Sequence, residues 1–321
     1  MKISLLGYPG SGKTRFIEVA VGKKIENFDP FKPSIVRVKT SDPCLEKLSH
    51  LVKAAKTTFP EVEIYDIKGI SRQTNLNDEI IPFLLQTDII VFIIDNFSGN
   101  RSPEKDIQSL ILEIIFKDTE RLSELINKRH QEQTQGKKQL NNVEENIIKK
   151  AISHLEKEKP LVSLVTNEEE KSFISSLGFL SIKPILLFIN GEKPENSLEK
   201  LMLELQIPYT HIDLSPNNSV IDLSIFWKTL LQSVNLITFY TVGEKDTRAW
   251  ILKKGASALD AAGTIHTDIA KGFIRAEVIT YQDFIKYGSH SACRNANVMR
   301  LESKDYIISD EDILNIRFSR P

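Results

Sequence analysis

The chain opens on a short apolar run, Lys2–Leu6, in which Ile3, Leu5 and Leu6 predict one buried parallel strand. Two longer runs, Asp88–Asp95 and Pro184–Asn190, are almost continuously apolar, the pattern of strands covered on both faces. Ile35–Val38, the alternating Glu61–Asp66 and the shorter Pro208–Leu214 bring the expectation to about six strands. Helices are predicted between them, at Thr14–Ala20 and in the stretch opened by Asp42-Pro43. The latter carries Leu45, Leu48, Leu51 and Val52 on one face and Asp42 as its N-cap. Ile25–Pro33, with Pro30 and Pro33, predicts a loop. The alternation predicts an α/β fold, an open parallel sheet with ligands at its carboxyl edge.

Between Asp95 and Pro184 the period changes. Ile107, Leu110, Ile111, Ile114 and Ile115 recur at helical spacing, continued by Leu122, Leu125 and Ile126. Val143, Ile147, Ile148, Ala151, Ile152 and Leu155 form a second stripe, and the polar stretch His130–Asn142, with Gly136, separates the two. This predicts a long helical hairpin with its tip at 130–142 and Lys159-Pro160 closing the second arm. Such a hairpin reads as a projecting, partner-binding arm; the alternative is a pair of helices lying flat on the sheet. Beyond a helix near Val220–Val234, strands are expected at Thr238–Val242, Arg248–Leu252, Gly272–Tyr281, Tyr306–Ile308 and Ile313–Phe318. Short helices are expected at Ala258–Gly263 and Tyr281–Tyr287, which makes a small α+β domain.

Composition narrows this little. At 321 residues the chain holds two or three domains, and a net charge of −1 with 41% hydrophobic residues gives no bulk preference for DNA or for a membrane. No stretch approaches the roughly 20 apolar residues of a membrane span. The N-terminal apolar run is too short for a signal peptide. Cys44 and Cys293 have no CxxC spacing, so a reduced, cytoplasmic setting is expected.

The chemistry concentrates at the end of the first strand. Gly7-Tyr8-Pro9-Gly10-Ser11-Gly12-Lys13-Thr14 fits the phosphate-binding pattern G-x-x-x-x-G-K-[ST]. Gly7, Gly10 and Gly12 let backbone N–H groups curl around an anion, and the following helix adds its N-terminal dipole. Lys13 is expected to reach the outer phosphates of a nucleoside triphosphate, and the Thr14 hydroxyl to bind Mg²⁺. Asp66, ending the Glu61–Asp66 strand, is the expected second holder of Mg²⁺, through water, and the Gly69 amide the contact to the γ-phosphate. The residue after Gly69 is Ile70, where Ras-like GTPases use Gln to orient the attacking water. The switch threonine that contacts Mg²⁺ and γ-phosphate in such proteins has three candidates here, Thr40, Thr57 and Thr58.

Several stretches together resemble the YchF family of Obg-like P-loop NTPases. The most specific are Arg248-Ala249-Trp250, His266–Val278, Tyr281–Ile285 and Arg300-Leu301-Glu302, which look like the family's TGS domain, a ubiquitin-like β-grasp module. Asp42–Leu48 is similar to the family's DPRLDKL, with Cys44 where the family has Arg. The resemblance implies an NTPase domain over 1–100 and 181–236, an inserted helical hairpin over 101–180, and a TGS domain over 237–321. It further implies a cytoplasmic NTPase preferring ATP to GTP, with ribosomes or rRNA as partner, acting in translation or stress response.

The chain departs from the family in places that touch this chemistry. The family loop reads G-x-P-N-V-G-K-S, its Asn associated with K⁺. Gly10 stands there instead, with no side-chain oxygen, so K⁺-stimulated hydrolysis does not carry over. The family's base-recognition motif N-x-x-E becomes Asn190-Gly191-Glu192-Lys193, and Lys193 cannot accept from guanine. Glu192 or Glu195 is available in its place. Ser215 falls at the family's base-contacting Ser. Asp310-Glu311-Asp312 replaces an aspartate-glycine-aspartate turn. These are features of a divergent member. Hydrolysis is expected to be slow, with Lys13, Mg²⁺ and backbone amides stabilising developing charge. The alternative is a nucleotide-sensing module that scarcely hydrolyses. In the last domain, Arg248, Lys253, Lys254, Lys271, Arg275, Lys286, Arg294 and Arg300 are candidates for RNA phosphates. His266 reads as a hydrogen-bonded structural residue and Trp250 as core.

Overall fold

A computed structural model describes residues 1–24, 34–67, 76–99, 102–134, 142–164, 167–215 and 221–319. In chain order the first elements are β1 (Lys2–Leu6), α1 (Lys13–Val21), β2 (Ser34–Lys39), α2 (Pro43–Leu51), β3 (Thr57–Thr58) and β4 (Glu61–Asp66). Next come α3 (Ile81–Leu85), β5 (Ile89–Asn96), α4 (Pro103–Thr134), α5 (Asn142–Leu155), α6 (Glu168–Ser176), β6 (Ile185–Gly191), α7 (Asn196–Leu205) and β7 (Tyr209–Ile212). The chain continues with α8 (Ser224–Ser233), β8 (Leu236–Thr241), β9 (Thr247–Lys253), α9 (Ala258–Ile265), α10 (Thr267–Lys271) and β10 (Phe273–Ile279). It closes with α11 (Tyr281–Tyr287), α12 (His290–Asn295), β11 (Arg300–Glu302) and β12 (Ile313–Phe318). Two units result, one from residues 1–38 and 63–221, the other from 39–62 and 222–321.

In the first unit the apolar runs become the middle of a six-stranded sheet ordered β2-β4-β1-β5-β6-β7, with β4, β1, β5, β6 and β7 paired in parallel. β6 is buried along its whole length and β5 as far as Asp95, as continuous apolar strands must be. Leu5 pairs with Asp66 and Asp95 with Asn190, so the polar ends of β4, β5 and β6 gather at one edge of the sheet, where β1 also ends.

The hairpin's stripes are spent on that sheet. Ile107, Leu110, Ile111, Ile114, Ile115 and Leu122 share a core with Phe92 of β5 and Leu187 of β6, joined by Ile147, Ala151 and Leu155 of α5. The lower part of the hairpin therefore lies on the sheet instead of projecting, because an apolar face this wide needs a partner. The expected tip falls mostly on residues 135–141, outside the described residues.

One buried carboxylate fastens the hairpin. Asp118 of α4 accepts from the backbone N–H groups of Leu180 and Ser181, each at 2.7 Å, and the Ser181 hydroxyl accepts from Leu161 N–H at 3.0 Å. Asp118→Ala leaves two buried N–H groups unpaired, and we expect urea denaturation to show a loss of roughly 2–4 kcal/mol. Burial outweighs the hydrogen bonds, which act to lower the value, and pushes the Asp118 carboxyl up to about 6 from 3.8. The stability linked to its bound proton is thus complete below the unfolded-state value and is lost as pH rises through about 6. Asp118→Asn removes that titration, so its unfolding free energy should fall less than the parent's between those two values.

The second unit is built on a sheet ordered β11-β10-β12-β8-β9-β3, with β8 and β9 antiparallel and β12 and β8 parallel. Helix α9, closed by a Ser257–Asp260 capping box, buries Ala258 and Ala261 among Phe239, Val278 and Leu314. A second cluster joins Leu45 and Leu48 of α2 to Tyr240, Ile279, Phe284 and Ile313. The family resemblance implies that residues 39–62 and 222–236 belong to the NTPase domain; in the structure both group with the rest of 222–321. Asp42 caps α2 at Cys44 and Leu45 and accepts from the Tyr240 hydroxyl at 3.0 Å, while β3 pairs with β9. The expected strand at Tyr306–Ile308 contributes only an isolated bridge, Ser257 to Ile307, because this segment closes over the start of α9, where Ala258 N–H donates to the Tyr306 carbonyl. The edge strand is β11 instead.

Candidate functional site

Where β1 ends, the chain turns through a loop that only glycine permits at its key positions. A Cβ on Gly7 would stand 2.5 Å from the Ile93 carbonyl oxygen, and Gly12 has φ 104° with Asn190 Nδ2 2.3 Å from where its Cβ would lie. Gly10 also has positive φ, at 83°. Gly12 is the N-cap of α1, with no side chain capping the helix and no acidic residue in its first turn. The first N–H groups of α1 and its positive end are therefore open to an anion. Ser11 N–H donates to the Tyr8 carbonyl at 3.1 Å, closing the turn around Pro9. The Lys13 ammonium donates to the Gly7 and Tyr8 carbonyls and so lies along the loop. Thr14, half-buried, follows as the second residue of the helix.

Asp66 ends β4 at 1% exposure, paired in register with Leu5 immediately before the loop's approach. Asp95, at the end of β5, is differently employed: its carboxylate accepts from the N–H groups of Phe97 and Ser98 and from the Ser98 hydroxyl. Among the described residues no group of three His, Cys, Asp or Glu could cage a metal. Thr14 offers a hydroxyl and Asp66 a carboxylate, both hard oxygen donors of the kind that suits Mg²⁺, an ion that takes further ligands from water and phosphate. Gly69 and Ile70 lie outside the described residues.

Asn190 is 4% exposed and both ends of its amide are used within the protein. Its Nδ2 donates to the Ser11 carbonyl at 3.0 Å and its Oδ1 accepts from Leu214 N–H at 3.0 Å. It thus ties the ends of β6 and β7 to the phosphate loop. Gly191, at φ 124°, has no room for a Cβ beside Asn96 and Phe97. Asn96 Nδ2 donates to the Glu192 carbonyl, which holds the following loop, with exposed Glu192, Lys193 and Glu195, against the end of β5. The Ser215 hydroxyl donates to Asp213 at 2.9 Å. Phe97, 53% exposed beside Gly191, escaped the sequence reading; its only signal is an aromatic directly after a buried strand's carboxyl end.

The three switch-threonine candidates all belong to the second unit. Thr57 and Thr58 form β3, and the Thr40 hydroxyl donates to the Pro60 carbonyl. In that unit several of the expected RNA-facing cations have protein partners. Arg294, with Arg317 (not one of those candidates) beside it, binds buried Glu277; burial acts to raise that carboxyl, and Asn315 with the two arginines holds it below its usual range. Arg300 donates to the Tyr306 hydroxyl, and Arg248 stacks 3.9 Å over Trp250. His266 caps α10 by accepting from Asp268 N–H, the structural role expected of it. No helix among the described residues is long and apolar enough to cross a membrane.

Residues 236–319 match the family model YchF-GTPase_C, described as a protein of unknown function (DUF933). Over 99% of both chains, the sequence is 32% identical to the ribosome-binding ATPase YchF of Buchnera aphidicola subsp. Schizaphis graminum (strain Sg). It is 29% identical to the protein of the same name from Bacillus subtilis (strain 168), over 98% of each. The fold is similar to that of the Schizosaccharomyces pombe YchF GTPase, with a TM-score of 0.79 at 22% identity, covering 99% of this chain and 97% of that one.

Proposed function

The chain belongs to the YchF family of Obg-like P-loop NTPases, and on that premise we propose that it is a cytoplasmic, ribosome-associated switch that binds ATP or GTP and hydrolyses it slowly. The observation that carries the nucleotide is the open N-terminus of α1 behind Gly12, with the Lys13 ammonium lying along the loop. On phosphate binding Lys13 exchanges loop carbonyls for β- and γ-phosphate oxygens, and the loop's N–H groups surround the β-phosphate. Mg²⁺, held by Thr14 and, through water, by Asp66, supplies positive charge to the phosphate oxygens when bound. The Gly69 amide is assigned to the γ-phosphate. Ile70 can orient no water, which supports slow turnover in the absence of a partner.

ATP is favoured over GTP because Lys193 offers guanine no acceptor, whereas adenine has acceptors of its own. Glu192 or Glu195 on the same loop, Ser215 and the ring of Phe97 are the groups available to the base. Asn190 acts as a positioning residue, holding the loop that binds phosphate. Asn190→Ala should therefore weaken ATP and GTP by the same factor, on the order of tenfold for a lost buried strut; calorimetry with both nucleotides separates this from a base contact, which would change their ratio. Domain assignments follow the same reading, less the two segments that group with the second unit: nucleotide binding within 1–100 and 181–236 apart from 39–62 and 222–236, the hairpin at 101–180 as partner arm, and 237–321 as the TGS module.

Single-turnover hydrolysis of radiolabelled ATP, with and without ribosomes, tests the proposal. Slow release accelerated by ribosomes agrees with it. Fast intrinsic release contradicts the slow switch. No release under either condition favours the second reading, a nucleotide-sensing module, which the replacement of the loop Asn by Gly10 and of the base carboxylate by Lys193 supports.

A further inference from the structure

The second unit contains a cavity of about 230 Å³ that the nucleotide chemistry does not use, and every residue lining it belongs to that unit. Trp227, Leu231 and Ile237 form apolar walls, and Ile225, 67% exposed, also lines it. Against these walls stand three carboxylates, Asp42, Asp310 and Glu311, and one cation, Lys228. Lys228 is paired with Glu311 Oε1 at 2.9 Å, so the lining keeps a surplus of two negative charges.

Each carboxylate keeps acceptor capacity. Asp42 Oδ1 serves the cap of α2, and the Tyr240 hydroxyl lies 3.2 Å from Oδ1 and 3.0 Å from Oδ2; Asp310 Oδ1 accepts from Thr238 N–H. The Ser41 hydroxyl is buried in the same lining with no hydrogen-bond partner among the described residues. Cys44 also lines the cavity; burial first, and then the negative charges of Glu311 and Asp42, push its thiol up, with Lys228 opposing them. A short neutral side chain thus stands in a lining that holds three carboxylates and one ammonium.

We propose that this cavity binds a small organic cation, an amidinium or guanidinium head on a short apolar stem, with the head among Asp42, Glu311 and Ser41 and the stem against Trp227 and Leu231. The volume suits a ligand of about ten non-hydrogen atoms, somewhat larger than the benzene that fills a 150 Å³ apolar cavity. Planar N–H donors match carboxylate pairs, and the apolar walls contribute by burial.

The test uses the full chain and two probes of equal shape, benzamidinium and neutral benzamide, titrated by calorimetry. Benzamidinium should bind at least about tenfold more tightly than benzamide, since only the charged head gains from the surplus carboxylates. Cys44→Arg supplies the cation from within and should abolish benzamidinium binding while raising the melting temperature. Glu311→Gln, at a half-buried turn position, should weaken benzamidinium about tenfold and leave benzamide unchanged, which keeps the test decisive if Cys44→Arg does not fold. Equal binding of the two probes, no binding of either, or benzamidinium binding that survives Glu311→Gln overturns the proposal. Tighter binding of acetyl-Gly-Arg-Gly amide than of benzamidinium overturns it too, because the site would then serve an arginine on another chain.

Discussion

Replacing Lys13 by alanine is expected to lower nucleoside triphosphate affinity at least about a hundredfold and to remove hydrolysis. The ammonium is the one side-chain cation of Gly7–Thr14, and it donates to the Gly7 and Tyr8 carbonyls, at the place proposed for the outer phosphates. A triphosphate brings about four negative charges to a site that otherwise offers N–H dipoles and the end of one helix, and a charge-assisted contact to phosphate is worth roughly 2–3 kcal/mol. The same charge follows the γ-phosphate as it leaves, so its loss is felt more strongly in hydrolysis than in binding. Calorimetry and single-turnover hydrolysis on the variant read the two effects separately. The fold should be untouched, since Lys13 contributes nothing to the buried core.

Gly12→Ala is expected to be comparably damaging for a different reason. The new Cβ meets Asn190 Nδ2 at 2.3 Å, and at φ 104° an L side chain is strained wherever it points. Relief requires Asn190 to move, which breaks its bonds to Ser11 and to Leu214 together. Loop, β6 end and β7 end then lose their common strut, and ATP affinity should fall by about two orders of magnitude through misplacement of the loop's N–H groups. Circular dichroism should still show a folded chain, because β1 and α1 keep their own buried residues, Leu5, Leu6, Phe16 and Ile17. A variant that binds ATP as the parent does contradicts this role of the Gly12–Asn190 contact.

The parts legible in the sequence were those in which local pattern and tertiary environment agree. Continuous apolar runs at Asp88–Asp95 and Pro184–Asn190 can be satisfied only inside a covered sheet, and β5 and β6 lie there. The phosphate loop was legible because its glycines answer to local sterics. The packing partner of α2 was not. Leu45 and Leu48 announce a buried face without saying which sheet buries it, and β3, which draws residues 39–62 to β9, is two residues long. Asp118 looks in sequence like one more charge on a solvated helix, because its backbone partners lie 62 and 63 residues away. Asn190 carries a recognisable motif position, but the motif does not reveal that its amide is spent at both ends on Ser11 and Leu214. Contacts between segments distant in sequence leave no periodic trace in either.

The most direct measurement is calorimetric titration of the full chain with ATP and with GTP in the presence of Mg²⁺. Saturable binding of one ATP per chain, tighter than GTP and absent in Lys13→Ala, is the result expected of a nucleotide switch built on Gly7–Thr14. Failure of either nucleotide to bind, or binding indifferent to Lys13, contradicts it.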